Sequence, residues 1–167
     1  GLALDAAAVE RVGLCFGTGL GCLLTDAEFY QKIVEQGAKA ASPRLFAYTV
    51  SSAAAGEVSI ALALKGPNAT EHAGLAAGLS AVGHAFDWLE SGRADTVLAG
   101  GGDACGPALV DGLRAMGLLK TDAEARPFRD ATPGIRPAEG AVVLVLRNVA
   151  APPRLAVAGY AAGFEPT

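Results

Sequence analysis

The stretch from Lys65 to Ser80, KGPNATEHAGLAAGLS, constrains this chain more than any other. Lys65-Gly66-Pro67 ends a helix and turns the backbone into a short strand. Gly74 then opens a tight bend into a long apolar helix. A strand that turns sharply into a helix projects the side chain at the bend away from both elements. Many α/β enzymes hold a nucleophile there. Here the bend carries Leu75, which offers no lone pair, proton or charge.

The rest of the chain supplies the elements such a bend needs. Its 167 residues, 51% hydrophobic and 18% charged, suit one domain over 1–167 with a sizeable core and are too apolar for disorder. Leu2–Glu10 reads as the tail of a helix. Arg11–Phe16 and Thr96–Ala99 are short apolar runs beside glycines, and Gly140–Arg147 is a continuous Val/Leu run; all three suit buried strands. Arg154–Tyr160 reads as a further strand, giving a C-terminal hairpin with Gly140–Arg147. Thr25-Asp26-Ala27-Glu28 forms a capping-box pattern for a helix that runs to about Gln36 and stops at Gly37, with Phe29, Ile33 and Val34 on its apolar face. Ala38–Leu45 reads as a loop, and Ser51 or Ser52 caps a helix over Ala53–Leu64. A helix from about Ala76 to Glu90 comes after the bend, Pro107–Met116 is helical, and Leu118–Ile135 is a polar surface excursion. The order βαα-βαβα-ββ predicts a layered α/β fold with a mixed sheet.

Several functions are disfavoured by what the chain contains. A net charge of −4 without a Lys/Arg cluster gives no footing for nucleic acid. The apolar runs are too short to cross a membrane, and with no signal peptide visible a cytoplasmic location is the default. The chain begins with Gly rather than Met, so an upstream portion is expected. Cys15, Cys22 and Cys105 have no framework spacing and read as reduced core residues. They show no close pairing with His72 or His84, so no metal is expected. No cofactor is expected either. In Gly17-Thr18-Gly19-Leu20-Gly21 the third glycine of a dinucleotide fingerprint would fall on Cys22, and Gly100-Gly101-Gly102 is better explained by close backbone packing. Glu71 and His72 alternate on one strand and face opposite ways, His84 is an ordinary half-exposed helical histidine, and Ser51, Ser52 and Ser80 lack a G-x-S-x-G elbow.

The order of the pieces resembles the β-ketoacyl synthases. The resemblance rests on Ser51–Ile60, Lys65-Gly66-Pro67-Asn68, Ala94-Asp95 with Ala99–Gly102, Arg126-Pro127-Phe128-Arg129-Asp130, and Gly134-Ile135-Arg136-Pro137-Ala138-Glu139-Gly140-Ala141 running into a strand. It covers Arg11 to Tyr160 and implies the N-terminal half of the thiolase-like layered α-β-α-β-α fold. In active members of that acyltransferase family the bend after Lys-Gly-Pro-Asn carries a cysteine that takes the acyl chain as a thioester. Counted from Asn68, that position is Leu75. Active members also draw two histidines from a C-terminal half, and His72 and His84 fall on neither motif. The resemblance therefore implies a chain that is inactive alone and closest to chain-length factors and other ketosynthase-like subunits lacking the cysteine. It implies as partners an active ketosynthase and an acyl carrier protein, in polyketide or fatty-acid synthesis, and a homo- or heterodimer formed through Asn68–Ala73. Two alternatives stand beside it: a portion of a longer acyltransferase whose catalytic residues lie elsewhere, and a small acyl-binding module.

Overall fold

The computed structural model describes residues 8–120, 134–149 and 155–163. In chain order it contains β1 (Val12–Gly17), α1 (Leu23–Gln36), α2 (Pro43–Phe46), α3 (Ala53–Ala61), β2 (Asn68–Glu71), α4 (Ala77–Glu90), β3 (Thr96–Asp103), α5 (Pro107–Ala115) and β4 (Gly140–Arg147). These elements gather into two compact units, one built on the strands with α3 and α4, the other on α1, α2 and α5.

The first unit is a four-stranded mixed sheet in the order β2-β1-β3-β4. β1 pairs in parallel with both neighbours, placing Cys15 opposite Ala69 on one side and Ala99 on the other. Alternation along the strands then sorts the side chains onto two faces. Val12, Leu14 and Leu98 pack with Ala55 of α3, while Cys15, Val97 and Ala99 pack with Ala81, Ala85 and Trp88 of α4. β1 and β3 are thus covered on both sides, as parallel strands require. Arg11 fixes the end of the β1–β3 pair: its guanidinium donates two bonds to Asp95, at 2.7 and 2.8 Å, and one to the Gly92 carbonyl at 2.8 Å. The same bonds hold the Asp95 carboxyl below its ordinary range.

Glycine sets how closely α4 approaches the sheet. A Cβ on Gly17 would stand 2.2 Å from the Ala77 carbonyl oxygen, and one on Gly101 would stand 2.6 Å from the Gly17 carbonyl oxygen. A Cβ on Gly100 would stand 2.0 Å from the Val142 carbonyl oxygen. Backbone therefore lies on backbone where β1, β3, β4 and the first turn of α4 meet. Close packing was the expected use of Gly100-Gly101-Gly102, and β3 runs straight through them to Asp103.

In the second unit, α1 packs on α2 and α5. Buried Phe29 stacks edge-on against Tyr30 at 5.5 Å and packs at 5.9 Å from the ring of Phe46. Gly106 lies against Leu24, where a Cβ would come within 2.2 Å of Cδ2.

The elements expected from the sequence form, with five corrections. The helix at α1 starts at Leu23 with Cys22 as its cap and no side-chain cap bond, because Thr25 and Asp26 are already inside it; Cys22 Sγ donates to Asp26 Oδ2 at 3.2 Å instead. Val34 is exposed, one residue past the stripe set by Phe29 and Ile33. Ala38–Leu45 is no plain loop, since Ser42 accepts from the Leu45 amide and caps α2, with Pro43 in the first turn. Residues 155–163 form no strand, so the second arm of the hairpin is missing. Tyr160 instead crosses α4, lying on Gly83 and donating to Asp87 Oδ2 at 2.6 Å. Finally, β4 is exposed rather than buried: Val142, Val143, Leu144 and Val145 are all open, Val142 by 68%. Residues 2–7 of the expected first helix, Arg126–Asp130 and Arg154 lie outside the described residues.

Candidate functional site

The site is the turn between β2 and α4. β2 is an edge strand, held to β1 by its ladder and to α3 by Asn68, whose amide donates to the Ala55 carbonyl at 3.2 Å and to Ser59 Oγ at 2.6 Å. After Glu71 the chain passes His72 and Ala73 and makes one 3-10 turn over Gly74–Ala76, and α4 begins at Ala77. Gly74 takes φ +55°, a left-handed conformation that suits glycine and gives the bend its sharpness. The Ala76 amide donates to the Ala73 carbonyl at 3.1 Å and closes the turn.

Leu75 stands at the tip and is 99% exposed. No described residue buries it, and Leu79, one turn on, is exposed as well. The sharp strand-to-helix bend expected from the sequence is present, with an inert side chain at its tip. A hydrocarbon there can neither attack a carbonyl nor carry a thioester.

Behind the turn, the two residues flanking the end of β2 separate as alternation requires. His72 lies toward Gly21, where an added Cβ would come 3.1 Å from its Nε2 and 2.7 Å from Ser51 Oγ. Glu71 turns toward α4, and its Oε1 lies 2.6 Å from His84 Nδ1. A carboxylate oxygen can only accept, so the ring donates from Nδ1. The His84 ring also meets Trp88 edge-on at 4.7 Å. Beneath both lies Cys15, fully buried in β1. Burial, and then the charge of Glu71, push its thiol up to about 12, which removes it as a nucleophile.

Cys15 Sγ, one Glu71 oxygen and one His84 nitrogen all lie within 4.8 Å of one another. The sequence spacing pairs no cysteine with a histidine, and the fold brings Cys15 and His84 together across long separations. The signal was the helical spacing of Ala77, Ala81, His84 and Trp88, four, three and four residues apart, which puts His84 on the buried face. Glu71 shares the strand face of Ala69, the register partner of Cys15. Cys22 and Cys105 are half-buried thiols, and the Cys105 amide donates to Glu139 at 3.4 Å. The amide of Thr18, in the glycine loop, donates to the Glu71 carbonyl at 2.9 Å, and its hydroxyl accepts from the Gly21 amide at 2.8 Å. The loop is therefore tied to its own neighbours. Among the described residues no helix is long and apolar enough to cross a membrane.

Known proteins resemble this chain in sequence and in fold. A family model described as "Beta-ketoacyl synthase, N-terminal domain" matches residues 1–151. The chain is 30% identical over 145 residues to a 3-oxoacyl-[acyl-carrier-protein] synthase 2 of Staphylococcus aureus, covering 84% of this chain and 36% of that protein. It is 33% identical over 172 residues to the tetracenomycin polyketide synthase ketoacyl synthase alpha subunit of Streptomyces glaucescens, covering 95% of this chain and 40% of that one. It spans well under half the length of these relatives. Among solved structures it resembles the ishigamide ketosynthase/chain length factor with a TM-score of 0.70 at 22% identity, over 88% of this chain and 37% of that one. At that identity the likeness speaks for the fold alone, and the fold is the thiolase-like one of the ketosynthases.

Proposed function

Since the chain belongs to the β-ketoacyl synthase family, we propose that it acts as a non-condensing, ketosynthase-like subunit of the chain-length-factor kind in polyketide or fatty-acid synthesis. Leu75 carries this reading: it stands at the exposed tip of the bend, and counted from Asn68 it falls where the resemblance puts the cysteine of active members of the family. The subunit works beside an active ketosynthase and takes part in handling chains delivered on an acyl carrier protein. Leu75 and Leu79 then give an apolar wall to the space an acyl chain occupies in the partner assembly. The free edge of β2 supports pairing of two subunits through Asn68–Ala73, since an unpaired strand is a template for another. The open, Val-rich β4 supports further cover over the other edge of the sheet.

Reconstitution with a condensing ketosynthase and its acyl carrier tests the reading. The two chains are expected to co-purify, and Leu75→Trp and Leu75→Gly are expected to shift product length in opposite directions while condensation continues. A subunit that ignores ketosynthases and acyl carriers, or products unchanged by both substitutions, defeats the proposal.

A second reading draws support from the short share of each relative that the chain spans: it is a portion of a longer acyltransferase whose nucleophile lies elsewhere. Acyl labelling of the native protein at a residue outside 1–167 would favour that reading.

A further inference from the structure

We propose that Cys15, Glu71 and His84 bind one zinc ion, which fastens β1, β2 and α4 together behind the bend. The three side chains come from three different elements of one compact unit, so a shared ion would link pieces far apart in sequence. Their donor atoms already lie within 4.8 Å of one another. Tetrahedral zinc with bonds of about 2.0–2.3 Å sets its donors roughly 3.3–3.6 Å apart. Closing the widest of the present gaps and opening the 2.6 Å contact between Glu71 and His84 each needs movement on the order of 1 Å. Rotation of the half-buried glutamate and imidazole supplies that while the strand holds Cys15 in place.

The donor set selects the metal. A thiolate, an imidazole and a carboxylate together suit zinc and other borderline divalent ions, whereas magnesium and calcium take oxygen. Access favours an ion over any larger ligand. Cys15 Sγ is sealed in the core, so no substrate reaches it, but Glu71 and His84 are partly open and leave an entry path. Binding exchanges the thiol proton for a Zn–S bond and releases that proton to solvent, while the neutral imidazole turns its unprotonated nitrogen to the ion and keeps its single proton on the other ring nitrogen. Three protein donors leave the fourth position for water.

The test uses the native protein carrying this chain, stripped with a chelator and titrated with Co²⁺ as a coloured stand-in for zinc. One equivalent of Co²⁺ is expected to give a thiolate-to-metal absorption band in the near ultraviolet, and one equivalent of Zn²⁺ to erase it. Glu71→Gln and His84→Gln keep shape and are expected to weaken binding at least about ten-fold, since even supporting residues around metal ligands cost that much. Cys15→Ser is expected to abolish the band, and Cys22→Ser and Cys105→Ser to leave it unchanged. The thermal midpoint of the unsubstituted protein is expected to rise with zinc concentration. Absence of the band, its loss in the Cys22 or Cys105 variants, or unchanged affinity in Glu71→Gln overturns the proposal. Glu71→Gln decides the matter even if a buried serine at position 15 prevents folding.

Discussion

Leu75→Cys, made in residues 1–167, is expected to accept an acyl group from an acyl thioester at its new thiol and to condense nothing. Uptake rests on the geometry: position 75 is 99% exposed and lies on the turn that leads directly into α4. A thiol just ahead of a helix N-terminus has its thiolate favoured by the helix dipole and loses little to desolvation. Turnover fails for a separate reason. Decarboxylation and condensation need histidines facing the thioester, and active members of the family take theirs from a C-terminal half. His84 is engaged by Glu71 and Trp88, and His72 lies beside Gly21. Each missing acid–base group costs about 10²–10⁴-fold, so condensation is expected to fall below detection. Intact mass and peptide mapping check the acyl adduct, and product analysis checks turnover. Measurable condensation by this single variant would contradict the proposal that the chain is a non-condensing subunit.

Gly17→Ala is expected to be among the most damaging small substitutions in the sheet. Its new Cβ would sit 2.2 Å from the Ala77 carbonyl oxygen and 2.6 Å from the Gly78 amide nitrogen, both backbone atoms with no rotamer to yield. α4 must lift from β1, carrying the bend with it, at a cost of about 3 kcal/mol or more. Gly56→Ala and Gly112→Ala are the controls. Both lie inside helices with nothing within 4 Å of an added Cβ, and each is expected to stabilise by roughly 0.5–1 kcal/mol. Denaturant unfolding of the three variants separates these outcomes. A Gly17→Ala protein as stable as the controls would contradict the close approach of helix and strand.

Local chemistry made most of the fold legible. Strands bounded by glycine, the Gly37 stop and the Lys-Gly-Pro turn depend on neighbours in sequence, and β1, β2, α4 and β3 formed where those signals stood. Leu75 was legible for the same reason, as a strand-to-helix bend is a short-range feature. What long-range packing decides was not. The apolar run of β4 reads as buried whether or not anything covers it, and among the described residues it is exposed. The second hairpin arm failed because Tyr160 found α4, a partner over seventy residues away. Cys15, Glu71 and His84 have no close spacing in the sequence, and only the β1–β2 register and the turn of α4 bring them together.

The central claim is that acyl chemistry in the assembly takes place on another subunit. The most direct measurement incubates the native assembly with an acyl thioester and maps the modified residue by mass spectrometry. The acyl group is expected on a cysteine of the partner ketosynthase, with residues 68–80 of this chain unmodified. An acyl group carried stoichiometrically on any residue of this chain would contradict the account.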